Sequence, residues 1–158
     1  MSEVNVQYIN PFLLAAKSII KDICQIDLQL GKPYIKTTEF SNESVVIMIG
    51  ITGKMRGQVM LGMPVATACT VASRMMMGMP VNDLDDMSIS AISELGNMVM
   101  GNAATIFANN GIAIDITPPT LCRGSLSIRT SFAQNICVPM ASADGMAIEL
   151  NIAICDDK

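Results

Sequence analysis

Two residues of one apolar helix carry the chemistry that can be read from this chain. Glu94 and Asn97 lie three residues apart in SAISELGNMVMGNAATIF (90–107), and from Met87 to Ile114 no other residue is ionisable. A carboxylate and a carboxamide can orient a water, pair with a lysine and hydrogen-bond a phosphoryl oxygen, but they make no strong nucleophile. That repertoire suits reactions in which catalysis is mostly positioning, such as attack of water on a reactive acyl phosphate. It does not suit amide hydrolysis. The chain has no histidine, which excludes Ser–His–Asp triads, Cys–His nucleophiles and His-based zinc sites.

At about 100° per residue, Ser90, Glu94 and Asn97 fall within about 60° of one another on the helix surface. The stripe continues through the small residues Gly101, Ala104 and Ala108. The opposite side holds Ile92, Leu95, Val99, Ala103 and Ile106 and is expected to pack on a sheet. An ordinary solvated face carries several Lys, Arg, Glu and Gln. This one carries a Ser, a Glu and an Asn, followed by residues small enough to let another surface approach. Pairs at this spacing are most often mere surface neighbours, and Ser90 could simply bond back to a carbonyl one turn earlier. The missing charges around the pair favour a docking face with two polar groups at its centre.

The elements that position this helix follow from periodicity and turn chemistry. Asn10-Pro11 reads as a helix start, cap then first turn, with the helix running through Ile23-Cys24 and Gly31 with Lys32-Pro33 ending it or a short segment after it. Strands are expected at Tyr34–Thr38, Ser44–Gly50 and Gly57–Met63, the last two as a hairpin around Thr52-Gly53-Lys54. Pro64 opens a helix over Ala66–Met77, whose methionines read as adaptable core filler, a hydrophobic-ligand groove being the lesser alternative. The long helix is capped by Asn82 or Asp83 and ends near Asn109-Asn110-Gly111, spanning roughly 40 Å. Strands at Ile112–Thr117, Ser125–Phe132, Asn135–Met140 and Met146–Ile154 follow, with a hairpin at Ala143-Asp144-Gly145. The order implies one α+β domain over residues 1–158, a mainly antiparallel sheet packed with long helices. The halves are loosely alike, which hints at an internal pseudo-duplication.

Composition bounds the partners. With 51% hydrophobic and 15% charged residues and a net charge of −4, the chain is no disordered segment and carries no electrostatic footprint for nucleic acid or anionic lipid. No apolar run reaches the ~18 residues of a membrane span, and the N-terminus lacks a basic leader before Glu3. A cytoplasmic protein is expected. The five cysteines form no C-x-x-C pair and read as small buried hydrophobes in a reducing compartment.

Ser90-x-x-x-Glu94-x-x-Asn97, followed by Pro118-Pro119, resembles the signature of the CheC/CheX chemotaxis phosphatases. Similar words surround it: Gly101-Asn-Ala-Ala-Thr105, Asp115-Ile-Thr-Pro-Pro119, Ile51-Thr-Gly-Lys-Met-Arg-Gly57, Met75-Met-Met-Gly-Met-Pro80 and Tyr8-Ile-Asn-Pro-Phe12. The last three resemble the CheX branch. The resemblance implies an enzyme that dephosphorylates the phospho-aspartate of the response regulator CheY. It implies that Asn97 holds the attacking water in line and that Glu94 pairs with the regulator's active-site lysine. Ser90, Gly101, Ala104, Ala108, Pro118 and Pro119 would belong to the partner-binding surface. Mg²⁺ would be supplied by the regulator, so the chain is expected to hold no cofactor of its own. The first helix has no Glu, so only the second half would carry a site, and a homodimer joined through its sheets is implied. The alternative is a non-catalytic interaction module, as in flagellar switch proteins of related fold.

Overall fold

The computed structural model describes residues 6–129 and 133–156. Three helices and ten strands run in the order α1 (Val6–Cys24), β1 (Leu28–Leu30), β2 (Tyr34–Ile35), β3 (Thr38–Phe40), β4 (Ser44–Gly53), β5 (Met55–Pro64), α2 (Val65–Met75), α3 (Asp86–Asn109), β6 (Ile114–Ile116), β7 (Thr120–Arg123), β8 (Leu126–Ile128), β9 (Ile136–Ser142) and β10 (Ala147–Asp156). The main sheet is antiparallel with path order β1-β9-β10-β5-β4-β6, with β2 also on β9 and β7 also on β4. The expected α+β architecture is present.

The two hairpins fall where turn residues place them. β4 and β5 pair from Ser44–Pro64 to Ile51–Gly57, turning at Gly53, whose φ of 103° a side chain would resist. β9 and β10 turn through Gly145 at φ 90°. The hairpins meet along β5 and β10, Leu150 opposite Leu61. Each helix-led half lends a strand to the other: β1, after α1, pairs with β9, and β6 and β7, after α3, pair with β4.

Alternation in β4 and β5 explains why both strands are so apolar. Val45, Ile47, Ile49, Ile51, Val59 and Leu61 join the core under the helices. Val46 and Met60 face the other way and pack with Phe40, beneath a two-stranded sheet of β3 and β8. A sheet covered on both faces favours near-continuous apolar runs.

Several expectations are corrected. Pro11 lies inside α1, which is helical from Val6. The earlier start places Ile9 on the same buried stripe as Phe12 and Leu13, and that burial outweighs the local cost of proline. Tyr34–Thr38 is not one strand: Tyr34 pairs with Cys137 in the main sheet and Thr38 with Ile128 in the small one. α2 ends at Met75, where Met77 and Gly78 take positive φ. Met75 and Met76 pack on the core, whereas Met77 and Met79 are exposed, so only half of the methionine cluster is core filler. α3 is capped by Asp85, not by Asn82 or Asp83. Ser88 N–H donates to Asp85 Oδ1 at 2.9 Å, and Asp85 N–H donates to Ser88 Oγ at 2.7 Å. The Ser88 N–H, joined by the Ser88 hydroxyl donating to the same oxygen at 2.8 Å, holds the Asp85 carboxyl below the usual range. Asp83 instead accepts from Leu84 N–H and pairs with Arg123 at 3.0 Å. The strand expected over Ser125–Phe132 is β8, Leu126–Ile128, its last three expected residues lying outside those described.

Among the described residues no helix is long and apolar enough to cross a membrane. All five cysteines are free; Cys24, Cys69 and Cys137 are buried, and Cys122 and Cys155 are half-buried.

Candidate functional site

α3 is 24 residues long, about 36 Å. It buries Ser88, Ile92, Leu95, Gly96, Val99, Met100, Ala103 and Phe107. Four of the five residues expected inward are fully buried; Ile106 is only half-buried, and Phe107 takes its place. The buried side is shared between the sheet and α1, not given to the sheet alone. Phe107 meets Phe12 of α1 edge-on, with ring centroids 5.1 Å apart at 63°, a geometry worth about 0.5–1.5 kcal/mol beyond burial. Gly96 lies against Ile47 of β4.

With that side fixed, the outward stripe is fixed too. Ser90 and Glu94 are exposed and Asn97 is half-buried. Together with Ile89, Ser93, Ile116, Thr117, Pro118 and Pro119 they line an open groove of about 520 Å³. Glu94 is the only charged residue in that lining. Among the described residues neither Glu94 nor Asn97 has a side-chain hydrogen bond or ion pair; the ion pairs are Lys36–Glu149 and Arg123–Asp83. Nor does Ser90 bond back to the preceding turn, as Thr105 does to the Gly101 carbonyl. A carboxylate and a carboxamide with unspent hydrogen-bonding capacity therefore face one shared opening.

The far wall of the groove is a β-bulge. β6 pairs with β4 with Ile51 opposite Ile116, and Thr117 N–H continues that register by donating to the Gly50 carbonyl at 3.0 Å. β7 resumes on the same strand with Met48 opposite Thr120. Pro118 and Pro119 thus stand against Ile49 alone, two residues against one. Prolines fit there because an edge bulge asks for no N–H from them. The extra residue pushes the strand outward beside α3, which packs over β4, β6 and β7.

The structure therefore brings together five of the eight residues expected from sequence: Ser90, Glu94, Asn97, Pro118 and Pro119. Gly101, Ala104 and Ala108 lie farther along α3 and do not line the groove. Gly101 has open space where a side chain would be, Ala104 is half-buried and Ala108 is exposed. Sequence reasoning missed Ile89, Ser93, Ile116 and Thr117. Ile89 and Ser93 precede Asn97 at steps of four, so a wider stripe would have included them.

The groove can hold a water between α3 and the bulge, and can present one negative charge to a cation on a partner. The groove's single carboxylate is a poor basis for holding a metal unaided, since Mg²⁺ is bound through carboxylates together with substrate phosphates and waters.

The family model for the chemotaxis phosphatase CheX matches residues 45–141, which span α3 and the bulge. The CheY-P phosphatase CheX of Thermotoga maritima is 33% identical over 152 residues, covering 96% of this chain and 97% of that protein. The solved CheX of Vibrio vulnificus superposes with a TM-score of 0.83 at 26% identity, over 94% of this chain and 99% of that one. The CheX of the Borrelia burgdorferi CheX–CheY–BeF3–Mg²⁺ complex superposes at 0.82 with 32% identity, over 96% and 100%. A match over most of the chain in sequence and in fold places this protein in the CheX family of chemotaxis phosphatases.

Proposed function

We propose that this chain hydrolyses the phospho-aspartate of a CheY-type response regulator, with α3 as the docking element. The observation that carries this reading is the groove itself: Glu94 and Asn97, unpartnered among the described residues, facing the Pro118-Pro119 bulge. In this reading Asn97 reaches into the regulator's active site and holds water in line with the phosphorus. Glu94 pairs with the regulator's lysine and fixes the docked helix. The reaction asks for placement and charge balance more than for a protein nucleophile, and the residues present supply those two things. Mg²⁺ belongs to the regulator's side in this account, consistent with the ion in the Borrelia complex.

Two further parts belong to the same reading. The protein acts in the cytoplasm, and two copies join through their sheets. The edge made by β1 and β2 exposes Leu30, Tyr34 and Ile35, while the opposite edge is interrupted by two prolines that cannot donate to a neighbouring strand. The first edge is thus the one open to pairing, and solution scattering or ultracentrifugation reads the resulting mass.

The direct test is release of phosphate from a Mg²⁺-loaded, phosphorylated CheY-type regulator. Release faster with the protein than without it supports the reading. Release at the regulator's own rate, with binding retained, would instead identify a non-catalytic interaction module.

A further inference from the structure

We propose that Thr117 is a positioning residue for the groove, its hydroxyl holding the Pro118-Pro119 bulge in place; this rests on the functional reading above. In a regular antiparallel pair, Thr117 and Gly50 would exchange both backbone hydrogen bonds. Here only one is made in that way, from Thr117 N–H to the Gly50 carbonyl at 3.0 Å. The return bond, from Gly50 N–H, goes to Thr117 Oγ1 at 2.8 Å. The side chain thus stands in for the Thr117 carbonyl.

That substitution is what lets the strand leave the ladder. With Gly50 N–H satisfied by the hydroxyl, the Thr117 carbonyl is released from the pairing, and the chain can step out at Pro118 without leaving a backbone donor unpaired. Gly50 completes the fit, because a Cβ there would lie 3.1 Å from both Thr117 Cγ2 and Oγ1. Without the hydroxyl, either Gly50 N–H goes unpaired or the Thr117 carbonyl swings back into the ladder. The first loosens the strand beside Pro118, and the second moves Pro118 relative to Glu94 and Asn97. The hydroxyl faces Gly50, so Thr117 shapes the opening into which the regulator must fit and leaves the chemistry to α3.

The test uses the full chain and a phosphorylated, Mg²⁺-loaded CheY-type regulator, with Thr117→Val (shape kept, hydroxyl lost) and Thr117→Ser (hydroxyl kept). Thr117→Val is expected to raise KM by about fivefold, the scale of one net hydrogen bond, with kcat within twofold. Thr117→Ser is expected to match wild type. Amide exchange of Gly50, read by NMR, is expected to speed up in Thr117→Val and not in Thr117→Ser. An unchanged KM, equal effects of Val and Ser, or a loss confined to kcat overturns the proposal. Should Thr117→Val fold poorly, Gly50→Ala presses on the same hydroxyl from β4 and must raise KM at unchanged kcat. The exchange readout needs no activity: a Gly50 amide indifferent to Thr117→Val overturns the clamp, whereas a wild type that releases no phosphate overturns the functional reading instead.

Discussion

Gly96 of α3 sits so close to Ile47 of β4 that an added Cβ would come within 2.8 Å of Ile47 Cγ2. That contact sets the height of the helix over the sheet, and so how far Glu94 and Asn97 stand out. Gly96→Ala gains about 1 kcal/mol of helix propensity but overfills a packed interface, which costs about 1–3 kcal/mol. The expected result is a melting temperature below wild type. A stabilised Gly96→Ala would show that the helix can rise without strain.

Gly101, five residues later, gives the opposite case. A Cβ there meets nothing within 4 Å, so Gly101→Ala should stabilise the fold by about 0.5–1 kcal/mol. If this stripe of α3 is where the regulator approaches, the same methyl should raise KM. Thermal melts and phosphatase kinetics on one preparation check both halves; a stabilised variant with unchanged KM removes Gly101 from the docking surface.

Glu94 separates docking from chemistry. It is exposed and has no partner among the described residues, so Glu94→Ala should leave the melting temperature within about 1 °C, as exposed substitutions away from special features usually do. Affinity for the activated regulator should fall by at least tenfold if Glu94 meets a lysine in a desolvated contact. Isothermal titration with the beryllofluoride-activated regulator measures it, and unchanged affinity would remove the lysine-pairing role.

Two buried thiols predict an alkaline limit to stability. Burial pushes Cys24 and Cys137 from the ordinary 9.0 to about 11, with Arg74 partly opposing at Cys24 and the Glu149 carboxylate adding to the rise at Cys137. A thiol that holds its proton longer when folded contributes fully below pH 9, and its contribution is lost as pH rises to about 11. Stability should therefore fall between pH 9 and 11, and less steeply in Cys24→Ala. Denaturant titrations along that pH range test it; parallel pH profiles for the two proteins would rule out Cys24 as a source.

Much of the site could be read from the residues alone, because helical periodicity is strict over 24 residues and a face almost without charge is unusual. The hairpins were legible for a similar reason, with Gly53 and Gly145 at their turns. What stayed hidden came from pairing between distant segments. Pro118-Pro119 reads locally as the end of a strand, and only β4 running beside it makes it a bulge with β7 beyond. Asp85 was masked by its acidic neighbours, since the choice of cap depends on which residue Ser88 can reach. Pro11 misled because the gain from burying Ile9 lies in tertiary packing of the core, beyond any local signal.

In the proposed reaction Asn97 places the attacking water while other groups hold the partner. Asn97→Ala should bind the beryllofluoride-activated regulator within about threefold of wild type and melt at the same temperature. Its phosphate release from the phosphorylated regulator should fall at least 100-fold, the scale expected of a group acting in the transition state alone. Hydrolysis by Asn97→Ala at a rate near wild type, with binding intact, would show that Asn97 does not place the water.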